Sequence, residues 1–238
     1  MRESLRVNYS LSRSAPPNWA SWGQYRTSEG FPPSKRILDF LLLILSSPCW
    51  VALLILTALC VQWRLGGPVL FRQDRPGLKG RIFRMIKFRS MTDERDASDQ
   101  LLPDAVRLAP FGRQLRSTSL DELPSLLCVL KGEMSLVGPR PLLPQYLNRY
   151  SAEQARRHNL PPGLTGWAQV NGRNALAWED KFRLDVWYIE NASIGLDLWI
   201  LFHTVLKVVR PDGISAVGRP QCQSFWGHPQ DRTHLQSN

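Results

Sequence analysis

Cysteine and histidine are scarce in this 238-residue chain, four of each, and neither is grouped for metal or disulfide chemistry. Cys49, Cys60, Cys128 and Cys222 form no C-x-x-C pair, and the first two lie in an apolar run, so no disulfide framework or zinc site is implied and a reducing compartment fits. The scattered His158 and His203 read as packing or surface residues rather than ligands. The sequence contains neither a P-loop nor a Rossmann glycine fingerprint, which removes support for the ordinary nucleotide folds. Acid is the minority charge, 20 Asp and Glu against 30 Lys and Arg, for a net +10. Such a balance points to an anionic partner: nucleic acid, a membrane surface or a phosphorylated substrate. No nucleic-acid partner is expected, because there is no binding motif and no strand that interleaves basic and aromatic residues. A hydrophobic content of 43% suffices for one sizeable domain plus extras.

Met1 to Ser34 reads as a poorly ordered tail: Ser, Arg and Pro recur and there is no signal-peptide h-region. Trp19, Trp22, Tyr25 and Phe31 are scattered there and carry little weight as membrane contacts. From Ile37 to Trp63 the chain is apolar except for Asp39, small polar residues and Gln62. One straight helix would reach ~40 Å against a hydrocarbon core of ~30 Å. Two readings stand. In the first, residues 35–64 form a re-entrant helix that enters one leaflet and returns. It is favoured by Lys35 and Arg36 at one end and Arg64 at the other, and by Ser47-Pro48 near the middle. In the second, the run is a tilted, proline-kinked full span. Asp39, three residues after Arg36, is placed to pair with it near the surface.

Beyond the apolar run, Val69 to Gln73 and Arg81 to Arg89 are strand-like and flank the turn-rich DRPGLKG, which predicts a β-hairpin. Period-two geometry puts Lys87 and Arg89 on one face, with Met85 and Met91 beside them, either as a phosphate clamp or as a solvated basic face. Arg113 and Arg116 fall three apart on a short helix, and Arg140 sits between Pro139 and Pro141. Arg173 ends the glycine-rich PPGLTGWAQVNGRN. The following segment holds Asp185 and Asp197 among apolar residues such as Trp187, Tyr188, Trp199, Phe202 and Val205, in helices suited to a bilayer interface or, for most of them, to a core.

The stretch TSLDELPSLLCVLKGE places Asp121 and Glu122 at a helix start, with Leu123, Leu126, Leu127 and Leu130 at helical spacing and Gly132 as a stop. Asp121 as N-cap puts Pro124 at the third helical position, where it removes no bond; Ser119 to Glu122 also matches a capping box. Local physics alone leaves a cap and a catalytic pair both open.

From Lys35 to about Arg210 the chain resembles the bacterial sugar transferase family, the monotopic polyprenyl-phosphate phosphoglycosyl transferases, in its minimal form. The resemblance rests on KRILD, the SSP of the apolar helix, GGPVLFRQDRPGLKGRIFRMIKFRSM, RSTSLDELPSLLCVLKGEMSLVGPRP and PPGLTGWAQVNGRN, in family order. It implies an α/β fold, a small mixed catalytic domain over 65–210 with amphipathic interfacial helices, between tails at 1–34 and 211–238. It further implies the re-entrant helix at 35–64 broken at Ser47 and Pro48, at the cytoplasmic face of a bacterial inner membrane. The implied reaction moves a sugar-1-phosphate from a UDP-sugar to polyprenyl (undecaprenyl) phosphate and releases UMP, as the first step of exopolysaccharide, O-antigen or glycan assembly. Asp121 is the implied nucleophile, through a covalent aspartyl-phosphosugar, and Glu122 the ligand of Mg²⁺ or Mn²⁺. Lys87, Arg89, Arg113, Arg116, Arg140 and Arg173 are the candidate phosphate donors, with Lys87, Arg89 and Arg140 ranked first. A homo-oligomer is compatible with this reading. Ser125, Cys128 and Glu133 depart from the residues common in the family at those places. A silent basic membrane scaffold is the alternative if the dyad only caps a helix.

Overall fold

A computed structural model describes residues 16–25, 30–172 and 176–209. Arg173 and the expected tail at 211–238 lie outside the described residues. The architecture is mixed and mostly helical, with two two-stranded sheets among the described residues.

The apolar run folds as α1 (Pro33–Leu45) and α2 (Ser47–Leu65), separated at Ser46. Pro48 carries no N–H, so carbonyls at the end of α1 lose their helical donors. Side chains supply substitutes: Ser47 Oγ donates to Ile44 O at 2.7 Å and Trp50 Nε1 to Leu43 O at 3.0 Å, while Ser46 Oγ adds a bond at 2.6 Å to Leu42 O, which keeps its backbone donor. Leu43, 2% exposed, joins α1 to the main core. Val61 packs with Phe88 and Leu115 in a second cluster. Most other apolar residues of the pair are exposed, including Leu41, Leu45, Leu56 and Leu59. Among the described residues α2, with 19, is the one helix long and apolar enough to cross a membrane.

The base of α1 is tied to the body by charges, and here two expectations change. Asp39 is buried rather than superficial, and accepts from the Leu136 N–H at 3.2 Å. Arg36 does not pair with it. The Arg36 guanidinium donates to Val129 O and Leu130 O near the end of α5 (Leu126–Lys131), where helix carbonyls lack partners and a cation suits the dipole. Lys35, fully buried, meets Asp197 at 2.5 Å and Tyr188 Oη at 3.1 Å. A second correction concerns the N-terminal tail. Residues 18–21 form a 3-10 turn against the start of α9 (Ile194–Val209), and Tyr25, 7% exposed, donates to Asp197 Oδ2 at 2.8 Å. Backbone bonds from Ile194 and Gly195 to Gly23 and Trp22 fix this segment, so the buried carboxylate draws residues 18–25 into the fold.

The hairpin forms as expected, β1 (Leu70–Pro76) antiparallel to β2 (Ile82–Phe88). Its register pairs Phe71 with Lys87, Gln73 with Met85 and Arg75 with Phe83, so these six side chains share one face. Phe83 and Met85 bury that face in the main core. Two short helices follow, α3 (Asp104–Arg107) and α4 (Pro110–Ser117), before the chain reaches the 3-10 turn Leu120–Ser125 and α5. β3 (Ser135–Val137) and β4 (Gly163–Thr165) pair in parallel, and α6 (Ala152–Ala155) lies in the crossover. The backbones pass so closely that a Cβ on Gly163 would stand 2.0 Å from Gly138 N, which requires glycine there.

The chain ends in α7 (Trp167–Asn171), α8 (Trp178–Asn191) and α9. Core packing takes Tyr188, Trp199 and Ile200, and Trp187 stacks on Trp167 at 4.9 Å between ring centroids. Leu198, Phe202, Val205 and Leu206 remain as an exposed apolar stripe on α9.

Candidate active site

The helix expected to have Asp121 as its N-cap starts four residues later, with Ser125 in that place. Ser119 takes a left-handed conformation (φ 59°), the turn Leu120–Ser125 is 3-10, and α5 begins at Leu126. No side-chain cap bond forms at Ser119, so neither the capping box nor an Asp121 cap is realised. Pro124 accounts for part of this, since it denies the first turn a donor. The turn is fastened to β2 instead: Ser125 Oγ donates to Ile86 O at 2.7 Å and Cys128 Sγ approaches Arg84 O at 3.8 Å. Ser125 and Cys128 thus hold the dyad turn and the start of α5 against the strand that carries Lys87.

Asp121 is buried and has no hydrogen-bond partner among the described residues. Burial raises its pKa above the ordinary carboxylate range, Glu122 next to it adds to the rise, and Lys87, Arg116 and Arg140 oppose it. Glu122 is the opposite case. Its Oε1 lies 2.7 Å from both Lys87 Nζ and Arg140 Nη2, and Arg140 Nη1 stands 3.4 Å from Oε2. Burial alone would raise this carboxyl, but Arg140 and Lys87 outweigh it and hold the pKa at about 2. Burial lowers the pKa of Lys87 despite Glu122, and Glu122 raises that of Arg140, whose side chain is 48% exposed.

Around Glu122, Lys87 and Arg140 opens a pocket of about 70 Å³. Arg75, Lys87, Glu122 and Arg140 supply its polar wall; Met85, Pro141, Leu142, Gly163 and Leu164 supply the rest. Arg75 is not singled out by sequence reading, because one arginine in a strand looks like a solvated side chain. The available signal was the hairpin register, which sets Arg75 on the face of Lys87. The Arg140 backbone is held from behind by Arg157, which donates to Arg140 O at 2.8 Å, Asp185 Oδ2 at 2.7 Å and Tyr150 Oη at 3.2 Å. Sequence reading does not single out this buried Arg157–Asp185 pair either.

Arg89, Arg113 and Arg116 do not line the pocket, although Arg116 is among the cations that act on Asp121. β2 ends at Phe88, so the alternation that put Arg89 beside Lys87 stops one residue short. Arg89 donates to Leu65 O, to Gly66 O at 2.9 Å and to Asp93 at 3.0 Å, closing the end of α2 rather than facing Glu122. Arg116 is exposed and donates to Ser90 Oγ at 2.9 Å. Arg113 is exposed on α4, with no side-chain bond among the described residues. Among the described residues no group of three or more His, Cys, Asp or Glu could hold a metal ion. The oxygens without a partner are those of Asp121, and Glu122 Oε2 carries only the 3.4 Å bond from Arg140, a set that suits Mg²⁺ completed by substrate phosphates rather than caged by protein.

A buried unpaired carboxylate beside a pocket rich in cations can attack phosphorus while the cations hold phosphate oxygens. The family model described as bacterial sugar transferase matches residues 32–211, from α1 through α9. The chain belongs to the bacterial sugar transferase family. Within it, the chain is 52% identical over 193 residues to the uncharacterized sugar transferase EpsL of Bacillus subtilis (strain 168), covering 81% of this chain and 96% of that protein. It is 40% identical over 188 residues to a UDP-glucose:undecaprenyl-phosphate glucose-1-phosphate transferase of Caulobacter vibrioides, covering 75% and 70%. An undecaprenyl-phosphate glucose phosphotransferase of Komagataeibacter xylinus is 42% identical over 189 residues, of which the match spans 74% of this chain and 36% of that protein. Residues 32–211, matched by the family model, include the dyad turn and the residues that line the pocket.

Proposed function

We propose that the chain transfers a sugar-1-phosphate from a UDP-sugar to polyprenyl phosphate, with UMP as the other product. The observation that carries the reading is Asp121, buried and unpaired next to a Glu122 that Lys87 and Arg140 already neutralise. One Asp121 oxygen attacks the sugar-side phosphorus of the diphosphate. The bond from that phosphorus to the bridging oxygen breaks, and UMP leaves with the electron pair. An oxygen of the polyprenyl phosphate then attacks the same phosphorus, the bond to Asp121 breaks and the carboxylate is restored. Lys87 and Arg140 bind phosphate oxygens, and Glu122 holds both cations in place. Asp121 and Glu122 Oε2 are the oxygens that would hold Mg²⁺ or Mn²⁺, which when bound neutralises phosphate charge. Relatives' names carry glucose, galactose and N-acetylgalactosamine, so the proposal is for UDP-sugars as a class.

The acceptor's phosphate lies at a membrane surface, and the α1–α2 pair supports placing the site there. α1 has 13 residues, ~20 Å by helical rise, which is too short to cross ~30 Å of hydrocarbon. Its serine-satisfied break, its exposed apolar faces and the cations at both ends favour a re-entrant element that leaves both flanks in the cytoplasm. Incubating membranes that contain the protein with polyprenyl phosphate and a panel of UDP-sugars tests the reaction. UMP release dependent on the protein is expected, and no release with any sugar would sink the proposal.

A further inference from the structure

Arg75 has the charge relations of a group waiting for an anion. Among the described residues its guanidinium meets only neutral acceptors, Gln73 Oε1 at 2.6 Å and Pro141 O at 3.3 Å, and its Nε is buried with no partner. The adjacent Asp74 pairs with Arg84 at 3.6 Å on the other face of the hairpin. Glu122, the carboxylate in the pocket, is engaged by Lys87 and Arg140. Three cations therefore line this pocket against one carboxylate, leaving a surplus of positive charge that a phosphate would balance.

The nucleophile adjoins the pocket through Glu122 without lining it. Asp121, whose charged neighbours are Glu122, Lys87, Arg116 and Arg140, is not part of its lining. Arg75 faces Glu122 and Arg140 from inside it. Displacement at phosphorus brings nucleophile and leaving group roughly into line. A phosphorus seated beside Asp121 thus directs its leaving oxygen away from Asp121, toward the pocket. The second displacement breaks the bond to Asp121, so the acceptor's oxygen must arrive where UMP departed.

We infer that Arg75 is a substrate-binding residue of one shared phosphate subsite, which holds the nucleotide phosphate as it leaves and then the phosphate monoester of the acceptor. This rests on the proposed two-step reaction. The leaving nucleotide phosphate carries one negative charge in the diphosphate and two in UMP, so a fixed cation stabilises it more as the bond breaks than before.

Titrating the full-length protein in detergent with UMP and with uridine tests the subsite without turnover. Arg75→Gln should weaken UMP by roughly 10- to 100-fold, the loss of one charge-assisted contact, and leave uridine unchanged. Arg75→Lys, which keeps the charge but not the fork, should recover part of that loss. In turnover by the wild type, UMP should compete with polyprenyl phosphate. Unchanged UMP affinity in a folded Arg75→Gln protein, or an equal loss for uridine, would overturn the assignment and leave Arg75 as a support for Pro141. Absence of UMP release in wild-type assays would instead refute the reaction, while the UMP and uridine titrations would still decide whether Arg75 binds phosphate.

Discussion

One nitrogen of the Arg157 guanidinium bonds both the Asp185 carboxylate, at 2.7 Å, and the backbone carbonyl of Arg140, at 2.8 Å. The pair is 2% and 4% exposed, so neither charge has water to fall back on. Burial raises the Asp185 pKa while Arg157 opposes the rise. Arg157→Met should therefore cost about 3–5 kcal/mol of stability in denaturant unfolding, because Asp185 is left as an unpaired buried charge. Arg157→Lys retains the charge but loses the fork that holds the Arg140 carbonyl. It should raise KM for the UDP-sugar more than it lowers kcat, and an unchanged KM would break the proposed link between this pair and Arg140.

Acid should destabilise the protein through Glu122. Its folded pKa, about 2, lies below the ordinary 4.5, so the unfolded chain takes up the proton first as pH falls. The contribution is fully present above about 4.5 and is lost on acidification toward about 2. Unfolding curves recorded with chelator between pH 6 and 2 should show the loss in the wild type and a reduced loss in Glu122→Gln.

Glu122 also shapes the acid limb of activity. Burial is the larger cause of the raised Asp121 pKa and the Glu122 charge the next, so removing that charge lowers the Asp121 pKa. In Glu122→Gln the residual kcat/KM should be small, and its acid limb should lie at lower pH than in the wild type. A limb that stays in place would mean that Asp121 is not the group being titrated.

Local sequence carried some of this structure and none of its long-range ties. The hairpin was legible because DRPGLKG and its flanking strands are neighbours in the chain. The leucine spacing after Asp121 announced a helix, but the left-handed Ser119 and the 3-10 turn are set by packing on β2, as Ser125 and Cys128 show. The Lys35–Asp197 pair joins residues 162 apart and Tyr25–Asp197 residues 172 apart, distances at which no periodicity speaks. Lys87, Arg140 and Glu122 were named from the sequence and stand together; Arg75 and Arg157 required the register and the crossover that bring them in.

The apolar pair gives a prediction on topology. Ser47 satisfies the Ile44 carbonyl that Pro48 leaves without its helical donor, so proline and hydroxyl act together at the break. Cysteines placed before Lys35 and after Arg64 should both be labelled from the cytoplasm in the wild type. Pro48→Ala restores the missing N–H and should straighten the run, moving the N-terminal label to the far side in part of the population. Labels on opposite sides in the wild type would exclude the re-entrant arrangement.

Asp121 allows a sharper separation of structure from chemistry than the sequence did. A capping aspartate stabilises its helix, so its replacement is neutral or harmful. The Asp121 observed here caps nothing, and its pKa is raised by burial and by Glu122. For an acid with a raised folded pKa, the folded state holds the proton more tightly than the unfolded one, and stability declines as pH rises through that window. At neutral pH the charge therefore opposes folding, a cost that a nucleophile carries and a cap does not. Asp121→Asn should melt at the same temperature as the wild type or higher, and should release no UMP, because an amide cannot form the acyl phosphate. Wild-type protein given UDP-sugar without acceptor should gain the mass of one phosphosugar on the peptide that contains Asp121. An Asn variant that melts lower yet stays active would restore the cap. One that melts higher and forms no adduct would identify a carboxylate kept ionised against the preference of the fold.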